Sequence, residues 1–248
     1  MAAESLCEKA QSRKWQPPQR SDRDPTTPKD FEFMRKRCKK CLKEFCSTPL
    51  QLFCTKCISE MPEATMAAQA RADRKHERRW LDLCPPAYQD TVIEKLPNPV
   101  KAAEVMDCDL RPPGIILHGP TGTGKTRCGW LLVRREFDRG KSIRVLNSKA
   151  AFDYNDAYLK GKISNWVDSQ CQPDLLFLDD VFKAKITDSF EQAMFAIVEY
   201  RVSHYRPILV TSNDTGETLA ARMSPDRGDA FVERLRSFRE IRFLHVRV

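Results

Sequence analysis

The sequence from residue 114 to residue 126 reads GIILHGPTGTGKT, an apolar run, Gly114–His118, followed directly by a glycine-rich loop. The loop fits the pattern G-x-x-x-x-G-K-[ST] with Gly119, Pro120, Thr121, Gly122, Thr123, Gly124, Lys125 and Thr126. Glycines let backbone N–H groups turn towards phosphate oxygens, and the next helix offers its N-terminus to the negative charge. The pattern predicts a strand, a phosphate-binding loop and a helix over Arg127–Phe137, and it indicates that the protein binds a nucleoside triphosphate. Lys125 is expected to reach the β- and γ-phosphates, and the Thr126 hydroxyl to bind Mg²⁺.

A second apolar run, at residues 173–180, reads PDLLFLDD and ends in two carboxylates. This is the pattern of a short buried strand. Two acids also commonly mark a plain strand end, but they lie downstream of a complete phosphate loop. We therefore expect Asp179 to hold Mg²⁺ through water and Asp180 to orient the attacking water. A third apolar run, Pro207–Asn213, ends in polar residues, and Asn213 is the candidate to hydrogen-bond the γ-phosphate or the water.

Strands and helices alternate from residue 114 onwards, with a helix predicted over Thr187–Tyr205 and a last strand over Ile241–Val248. Alternation of this kind predicts an α/β fold with a mostly parallel sheet, helices on both faces and ligands at the carboxyl ends of the strands. The chain stops after the last strand, so no helical lid domain is expected.

Four cysteines near the N-terminus form two C-x-x-C pairs separated by 12 residues: Cys38, Cys41, Cys54 and Cys57. This spacing predicts a small four-cysteine Zn²⁺ site, since a module of about 20 residues lacks the apolar surface to fold without a metal. A redox pair would need only one C-x-x-C, disulfides do not suit a cytosolic protein, and Cys46 is an alternative ligand. We interpret the others, Cys7, Cys84, Cys108, Cys128 and Cys171, as ordinary thiols.

Basic residues flank these cysteines: Arg35, Lys36, Arg37, Lys39, Lys40 and Lys43. Such a ribbon can place lysines on phosphates and stack its aromatic residues, Phe45 and Phe53, on exposed bases. The two phenylalanines are equally suited to form the core of the ribbon, and zinc ribbons also bind proteins. The partner of the module therefore stays open at this point.

The chain has 248 residues, a net charge of +8 and a pI near 9.0, which favours an acidic partner such as nucleic acid. No apolar stretch resembles a membrane span or a signal peptide, so a cytoplasmic location without membrane contact is expected. We predict four segments: a disordered basic tail (1–33), the zinc module (34–60), a helical linker (61–95) and the nucleotide-binding domain (96–248).

These motifs, together with Trp80–Tyr88, resemble the phage-type branch of the DnaC/IstB-like ATPases of the AAA+ class, which are replicative-helicase loaders and transposition helpers. The resemblance covers about residues 75–248. It implies a five-stranded AAA+ P-loop domain without a lid, and an ATP site made of Lys125, Thr126, Asp179, Asp180 and Asn213. The aspartate at position 180 departs from the glutamate usual in AAA+ proteins, and a shorter acid suits a switch better than a motor.

The resemblance also implies a homo-oligomer held together by ATP, in which each site is completed by an arginine from the neighbouring subunit. The segment 229–236 matches the helix that carries this residue, and Arg234 is the first candidate, with Arg222 and Arg227 as alternatives. The function implied is an ATPase that loads a hexameric replicative helicase onto single-stranded DNA. The alternatives are a transposition helper that selects target DNA and a nucleotide-gated zinc-ribbon adaptor with little hydrolysis.

Overall fold

The computed structural model describes residues 34–47, 51–59, 63–183 and 187–245. The chain divides into two compact units, residues 1–79 and 80–248. The predicted disordered tail, residues 1–33, lies outside the described residues, and the boundaries predicted at residues 60 and 95 stay a prediction. Among the helices that the structure describes, none is both long and apolar enough to cross a bilayer.

The first unit contains two short antiparallel strands, β1 (Met34–Arg37) and β2 (Glu44–Ser47), then the short helix α1 (Thr55–Ser59) and most of the long helix α2 (Glu63–Leu83). Between the strands the chain reverses tightly, because the Cys38 amide donates to the Lys43 carbonyl at 2.9 Å and Leu42 adopts a φ of 60°. The Lys39 amide donates to the Leu52 carbonyl at 3.0 Å. This bond ties the first C-x-x-C turn to the segment that carries the second.

The second unit contains five parallel strands: β3 (Gly114–His118), β4 (Ile143–Leu146), β5 (Leu175–Asp179), β6 (Ile208–Ser212) and β7 (Arg239–Arg242). They form one sheet in the order β4-β5-β6-β3-β7. The central strands are apolar almost throughout, as expected for strands covered on both faces. Because β5, β6 and β3 are neighbours and parallel, their carboxyl ends meet at one edge of the sheet, and the predicted fold class is confirmed.

Helices cover both faces of this sheet. Their bounds are α3 (Pro86–Gln89), α4 (Pro99–Asp107), α5 (Lys125–Asp138), α6 (Ala150–Leu159), α7 (Ile163–Cys171), α8 (Asp188–Ser203), α9 (Gly216–Ala220) and α10 (Pro225–Leu235), with 3₁₀ turns at Ile93–Lys95 and Val181–Lys183. Side chains of a strand alternate between the faces. On β5, Leu176 and Leu178 pack under α6, α7, α8 and α10, whereas Leu175 and Phe177 pack under α4 and α5. The helices predicted after the phosphate loop and at Thr187–Tyr205 are confirmed.

The last strand differs from its prediction over Ile241–Val248, because β7 is Arg239–Arg242. Its partner β3 sets this length: Arg239 pairs with Ile115 and Arg242 with His118, after which β3 gives way to the phosphate loop. The Phe243 amide still donates to the His118 carbonyl at 2.7 Å, but no ladder continues. Residues 246–248 lie outside the described residues.

Candidate functional site

The predicted phosphate loop lies where β3 leads into α5. Its backbone requires glycine at both ends: Gly119 has a φ of 139° and Gly124 a φ of 92°, a region that residues with a Cβ rarely adopt. A Cβ on Gly119 would lie 2.2 Å from the Phe243 carbonyl oxygen. Within the loop, the Thr123 hydroxyl donates to the Pro120 carbonyl at 2.8 Å. The loop is thus shaped by its own backbone and packed against the end of the sheet.

Lys125 is only 5% exposed, and its ammonium group points back into the loop. It donates to the Gly119 and Pro120 carbonyls, both at 2.8 Å, and to Asn213 Oδ1 at 2.9 Å. Burial lowers its pKa, and the charges of Asp180 and Asp179 oppose that shift. The structure therefore brings together a desolvated cation and the predicted Asn213, both at the sheet edge where phosphates are expected to bind.

The two predicted acids lie beside this lysine. The Thr126 hydroxyl donates to Asp179 Oδ1 at 2.9 Å, which joins the two residues expected to hold Mg²⁺. A hydroxyl and a carboxylate are oxygen ligands of the kind that Mg²⁺ prefers, so the residues present fit the ion. Asn213 Nδ2 donates to Asp180 Oδ2 at 3.4 Å. The predicted residues thus form two hydrogen-bonded groups, Thr126 with Asp179 and Lys125 with Asn213 and Asp180, which adjoin because Asp179 and Asp180 are consecutive.

Asp180 has an unusual backbone conformation and a raised pKa. Its φ of 49° lies in the left-handed region, which aspartate tolerates better than glutamate because its short side chain can bond locally. The aspartate in place of the more common glutamate suits this conformation. Burial, and then the nearby charge of Asp179, raise the pKa of Asp180 above its ordinary value of 3.8. A raised pKa favours proton acceptance by this carboxylate from a bound water.

A cleft of about 520 Å³ opens beside the phosphate loop, large enough for a nucleotide-sized ligand. One side is the loop with Asp180 and Asn213, and the other is a segment that the sequence analysis did not assign to the site: Asp90, Thr91, Val92, Lys95, Leu96 and Pro97. The prediction placed most of this segment in the linker. No motif marks it, because a wall of mixed polar and apolar side chains next to a short 3₁₀ turn has no periodic pattern.

Arg127, which directly follows the phosphate loop, fastens this wall to α5. Its Nη1 donates to Thr91 Oγ1 at 3.1 Å, and its guanidinium carbon lies 5.6 Å from the centre of the Tyr88 ring. Tyr88 in turn stacks on Trp130 with ring centres 6.1 Å apart. The wall of the cleft and the phosphate-loop helix are therefore one packed structure, and sequence reasoning missed Arg127 and Thr91.

The three candidate arginines do not line the cleft of their own chain. Arg227 donates to the buried Glu191 at 2.9 Å, and Arg222 donates to Asp214 at 2.8 Å and to the Lys183 carbonyl at 3.0 Å. Arg234 pairs with Glu199 on α8, and both side chains of this pair are more than 40% exposed. Of the three arginines, Arg234 therefore forms the ion pair that is most exposed to solvent on both sides. Its predicted role in the site of a neighbouring subunit stays a prediction.

The predicted zinc ligands lie together in the first unit. The sulfur atoms of Cys38, Cys41, Cys54 and Cys57 all lie within 4.8 Å of one another, and Cys41 Sγ is 3.7 Å from Cys54 Sγ. Burial raises the pKa of Cys38, but hydrogen bonds from the Cys41, Cys54 and Lys40 backbone outweigh it and lower the pKa to about 6. Four cysteine sulfurs clustered in this way fit a tetrahedral Zn²⁺ ion.

A Cys38→Ser/Cys41→Ser variant is expected to lose about one zinc ion per chain, because two ligands cannot hold the ion against solvent. Metal content of the purified full-length protein, measured by mass spectrometry, checks this. The matched control is Cys108→Ala/Cys171→Ala in the second unit, which should keep its zinc. Equal metal content in the two variants would contradict the assignment.

This fold and this cleft are those of the P-loop nucleotide-binding proteins. The model of the IstB-like ATP binding protein family matches residues 106–237, more than half of the chain, and the chain belongs to this family. A Mycobacterium tuberculosis protein described as an ATP-binding protein in an insertion sequence is 27% identical over 100 residues. That match spans 40% of each chain. The DnaC/IstB-like resemblance seen in the sequence is confirmed.

Solved structures share the fold. DnaI has a TM-score of 0.54 at 19% identity, over 65% of this chain and 95% of its own. Domain III of the Thermotoga maritima replication initiation protein DnaA has a TM-score of 0.53 at 18% identity, over 64% and 68%. DnaA bound to AMPPCP and single-stranded DNA has a TM-score of 0.52 at 20% identity, over 64% of this chain and 50% of its own. At these identities the likeness shows a shared fold alone.

Proposed function

We propose that the protein is an ATPase that converts ATP and water to ADP and phosphate and uses this cycle to load a replicative helicase onto single-stranded DNA. The observation that carries the ATPase part is the connected group at the sheet edge, in which Lys125, Asn213 and Asp180 are linked by hydrogen bonds. A cation, an amide and a carboxylate with a raised pKa are the groups that phosphoryl transfer to water requires.

Each residue has a separate task in this reaction. Backbone N–H groups of the loop bind the phosphates, and Lys125 exchanges its loop carbonyls for phosphate oxygens. Thr126 and Asp179 would hold Mg²⁺, which neutralises charge on the phosphates when bound. Asp180 orients the water and accepts its proton, while Asn213 fixes the distance between Asp180 and Lys125. In this arrangement positioning and electrostatics supply most of the catalysis.

We propose that an arginine of a neighbouring subunit completes the site. The negative charge of the transferring phosphoryl group has to be stabilised by a cation that approaches from the open side of the cleft. Arg234 is the candidate because it does not line its own cleft and its guanidinium forms an exposed ion pair with Glu199. Exposed ion pairs contribute little to stability, so a phosphate can compete for this arginine. Nucleotide binding would then favour a homo-oligomer.

The charge distribution supports a nucleic-acid partner. Residues 1–79 contain 18 basic and 11 acidic residues, whereas residues 80–248 contain 24 and 23, so nearly all of the net positive charge lies in the first unit. Lys39, Lys43 and Lys56 are exposed around the cysteine cluster. Clustered lysines bind phosphate backbones irrespective of sequence, which suits a protein that delivers another to DNA.

A second candidate function is a transposition helper that selects target DNA. It is favoured by one observation, the relative whose description places it in an insertion sequence. The residues of the ATP site and the proposed assembly would be the same for both functions. The two candidates differ in the protein that the assembled state recruits.

The partner is tested by affinity purification of the full-length Asp180→Asn protein from its native cell in the presence of ATP, followed by mass spectrometry. We expect the hexameric replicative helicase to be enriched over the matched control, Lys125→Ala, and over a sample eluted with ADP. A transposase in its place would support the second candidate. Recovery of neither, with wild-type hydrolysis unchanged by single-stranded DNA, would contradict both.

A further inference from the structure

Thr211, on β6, contacts both acids of the site, although no motif marks it. It is 2% exposed and lies one strand away from the acids, where β6 runs beside β5 and Asp179 pairs with Thr211. A buried hydroxyl needs hydrogen-bond partners, since an unpaired one costs free energy. Both partners of this hydroxyl, Asp179 and Asp180, belong to the proposed ATP site.

The hydroxyl donates to Asp179 Oδ1 at 2.7 Å, the same oxygen that accepts from Thr126 at 2.9 Å. Two donors on one oxygen fix the rotation of the carboxylate. In the part of the chain that the structure describes, Oδ2 of Asp179 accepts no hydrogen bond. The arrangement keeps that oxygen available for the hydration shell of a cation.

The same hydroxyl oxygen accepts from the Asp180 amide at 3.2 Å, and the Thr211 carbonyl accepts from that amide at the same distance. These bonds hold the residue whose φ is 49°. A left-handed conformation at a non-glycine residue costs free energy and persists only where its surroundings enforce it. Thr211 supplies part of that enforcement, so it sets the direction in which the Asp180 carboxylate leaves the backbone.

We propose that Thr211 is a positioning residue that orients the Mg²⁺-binding carboxylate of Asp179 and, through the backbone, the water-activating carboxylate of Asp180. The inference rests on the proposed ATPase function. It adds that one hydroxyl sets both the orientation of the Asp179 carboxylate for Mg²⁺ and the position of the Asp180 carboxylate. The methyl group of the same side chain lies 3.4 Å from where a Cβ on Gly129 would be, so the side chain lies next to α5.

The test compares Thr211→Val, which keeps the shape but removes the hydroxyl, with Thr211→Ser, which keeps the hydroxyl. The measurement is the affinity of a fluorescent ATP analogue for the full-length protein with Mg²⁺ and with EDTA. We expect Thr211→Val to lose about tenfold or more in the affinity gained from Mg²⁺, the size for a lost hydrogen bond to a charged group, with little change in EDTA. Thr211→Ser should retain most of that gain.

Val210→Ala is the matched control, because Val210 is also buried on β6 but faces the hydrophobic cluster under α8. It should lower the melting temperature and leave the Mg²⁺-dependent gain unchanged. If Mg²⁺ raised the nucleotide affinity of Thr211→Val as much as that of wild type, the positioning role would be overturned. The same holds if Val210→Ala lost as much of this Mg²⁺-dependent affinity as Thr211→Val. If wild-type protein bound no nucleotide with or without Mg²⁺, the proposed function itself would fail, and this outcome is distinct from the other two.

Discussion

Replacing Lys125 with alanine is expected to weaken ATP binding by about a hundredfold or more and to remove hydrolysis, because a desolvated ammonium group contributes far more than an exposed one. The lysine is 5% exposed and is bonded to two loop carbonyls and Asn213. Without it, negative phosphates would enter a site that still contains the charges of Asp179 and Asp180. Binding is measured by calorimetry and turnover by phosphate release.

The matched control is Lys149→Ala, since Lys149 is exposed and does not line the cleft. It should bind and hydrolyse ATP as wild type does. The fold of the Lys125→Ala protein is expected to survive, because the lysine contacts loop carbonyls and one amide rather than the apolar core. Equal affinity for ATP in Lys125→Ala and wild type would show that the cleft is not the nucleotide site.

The Lys125→Ala protein also separates the two halves of a shared site. It keeps Arg234, whereas an Arg234→Ala protein keeps the phosphate loop. If Arg234 acts in the neighbouring subunit, each variant alone is inactive and an equimolar mixture regains part of the activity, because some sites combine an intact loop with an intact arginine. A mixture as inactive as its components would contradict the shared site, and full activity of Arg234→Ala alone would exclude this arginine.

Replacing Asp180 with asparagine is expected to lower turnover by about a hundredfold or more while ATP binding is kept or strengthened. The amide cannot accept a proton from water, but it removes a negative charge next to the phosphates. Asparagine also tolerates the left-handed backbone at this position, so the fold is retained. Single-turnover hydrolysis and nucleotide affinity, measured on the same preparation, separate the two effects. Asp179→Asn is the comparison, and it should lose Mg²⁺-dependent affinity as well.

The same substitution should raise the melting temperature at neutral pH. The pKa of Asp180 is raised, chiefly by burial and then by Asp179. A carboxyl group with a raised folded-state pKa stabilises the fold below its ordinary pKa of 3.8, and this stability is lost as the pH rises through the folded pKa. Asparagine has no such loss. The difference in melting temperature should therefore be largest near pH 7 and disappear towards pH 4, and a variant less stable than wild type at pH 7 would contradict this.

The candidate nucleotide site at the carboxyl ends of the strands could be predicted from the sequence because each part is local. A glycine-rich loop after an apolar run, or two acids after another, is visible within eight residues, and a parallel sheet brings such strand ends together. The geometry adds the bonds that join Lys125 to Asn213 and Asn213 to Asp180. The cysteine cluster was predictable for the same reason, since its ligands occur in two short pairs.

The opposite wall of the cleft could not be predicted in this way. Thr91 and Arg127 meet through a single hydrogen bond between residues 36 positions apart, and neither has a spacing that indicates a site. Thr211 is similar, because a threonine in an apolar strand suits a sheet regardless of function. The end of β7 depended on the length of its partner β3, which is a property of the assembled sheet rather than of either segment.

The stacked pair Tyr88 and Trp130 has a practical consequence for kinetics. Trp130 lies on α5, five residues after Lys125, and the planes of the Trp130 and Tyr88 rings differ by only 16°. Tyr88 also contacts Arg127, which lines the cleft. Indole emission depends on the surroundings of the ring, so Trp130 is an intrinsic fluorophore that is linked to the cleft through Tyr88 and Arg127. We expect ATP binding and release to change this emission, which stopped-flow spectroscopy can follow in real time without attaching a dye to any of the cysteines.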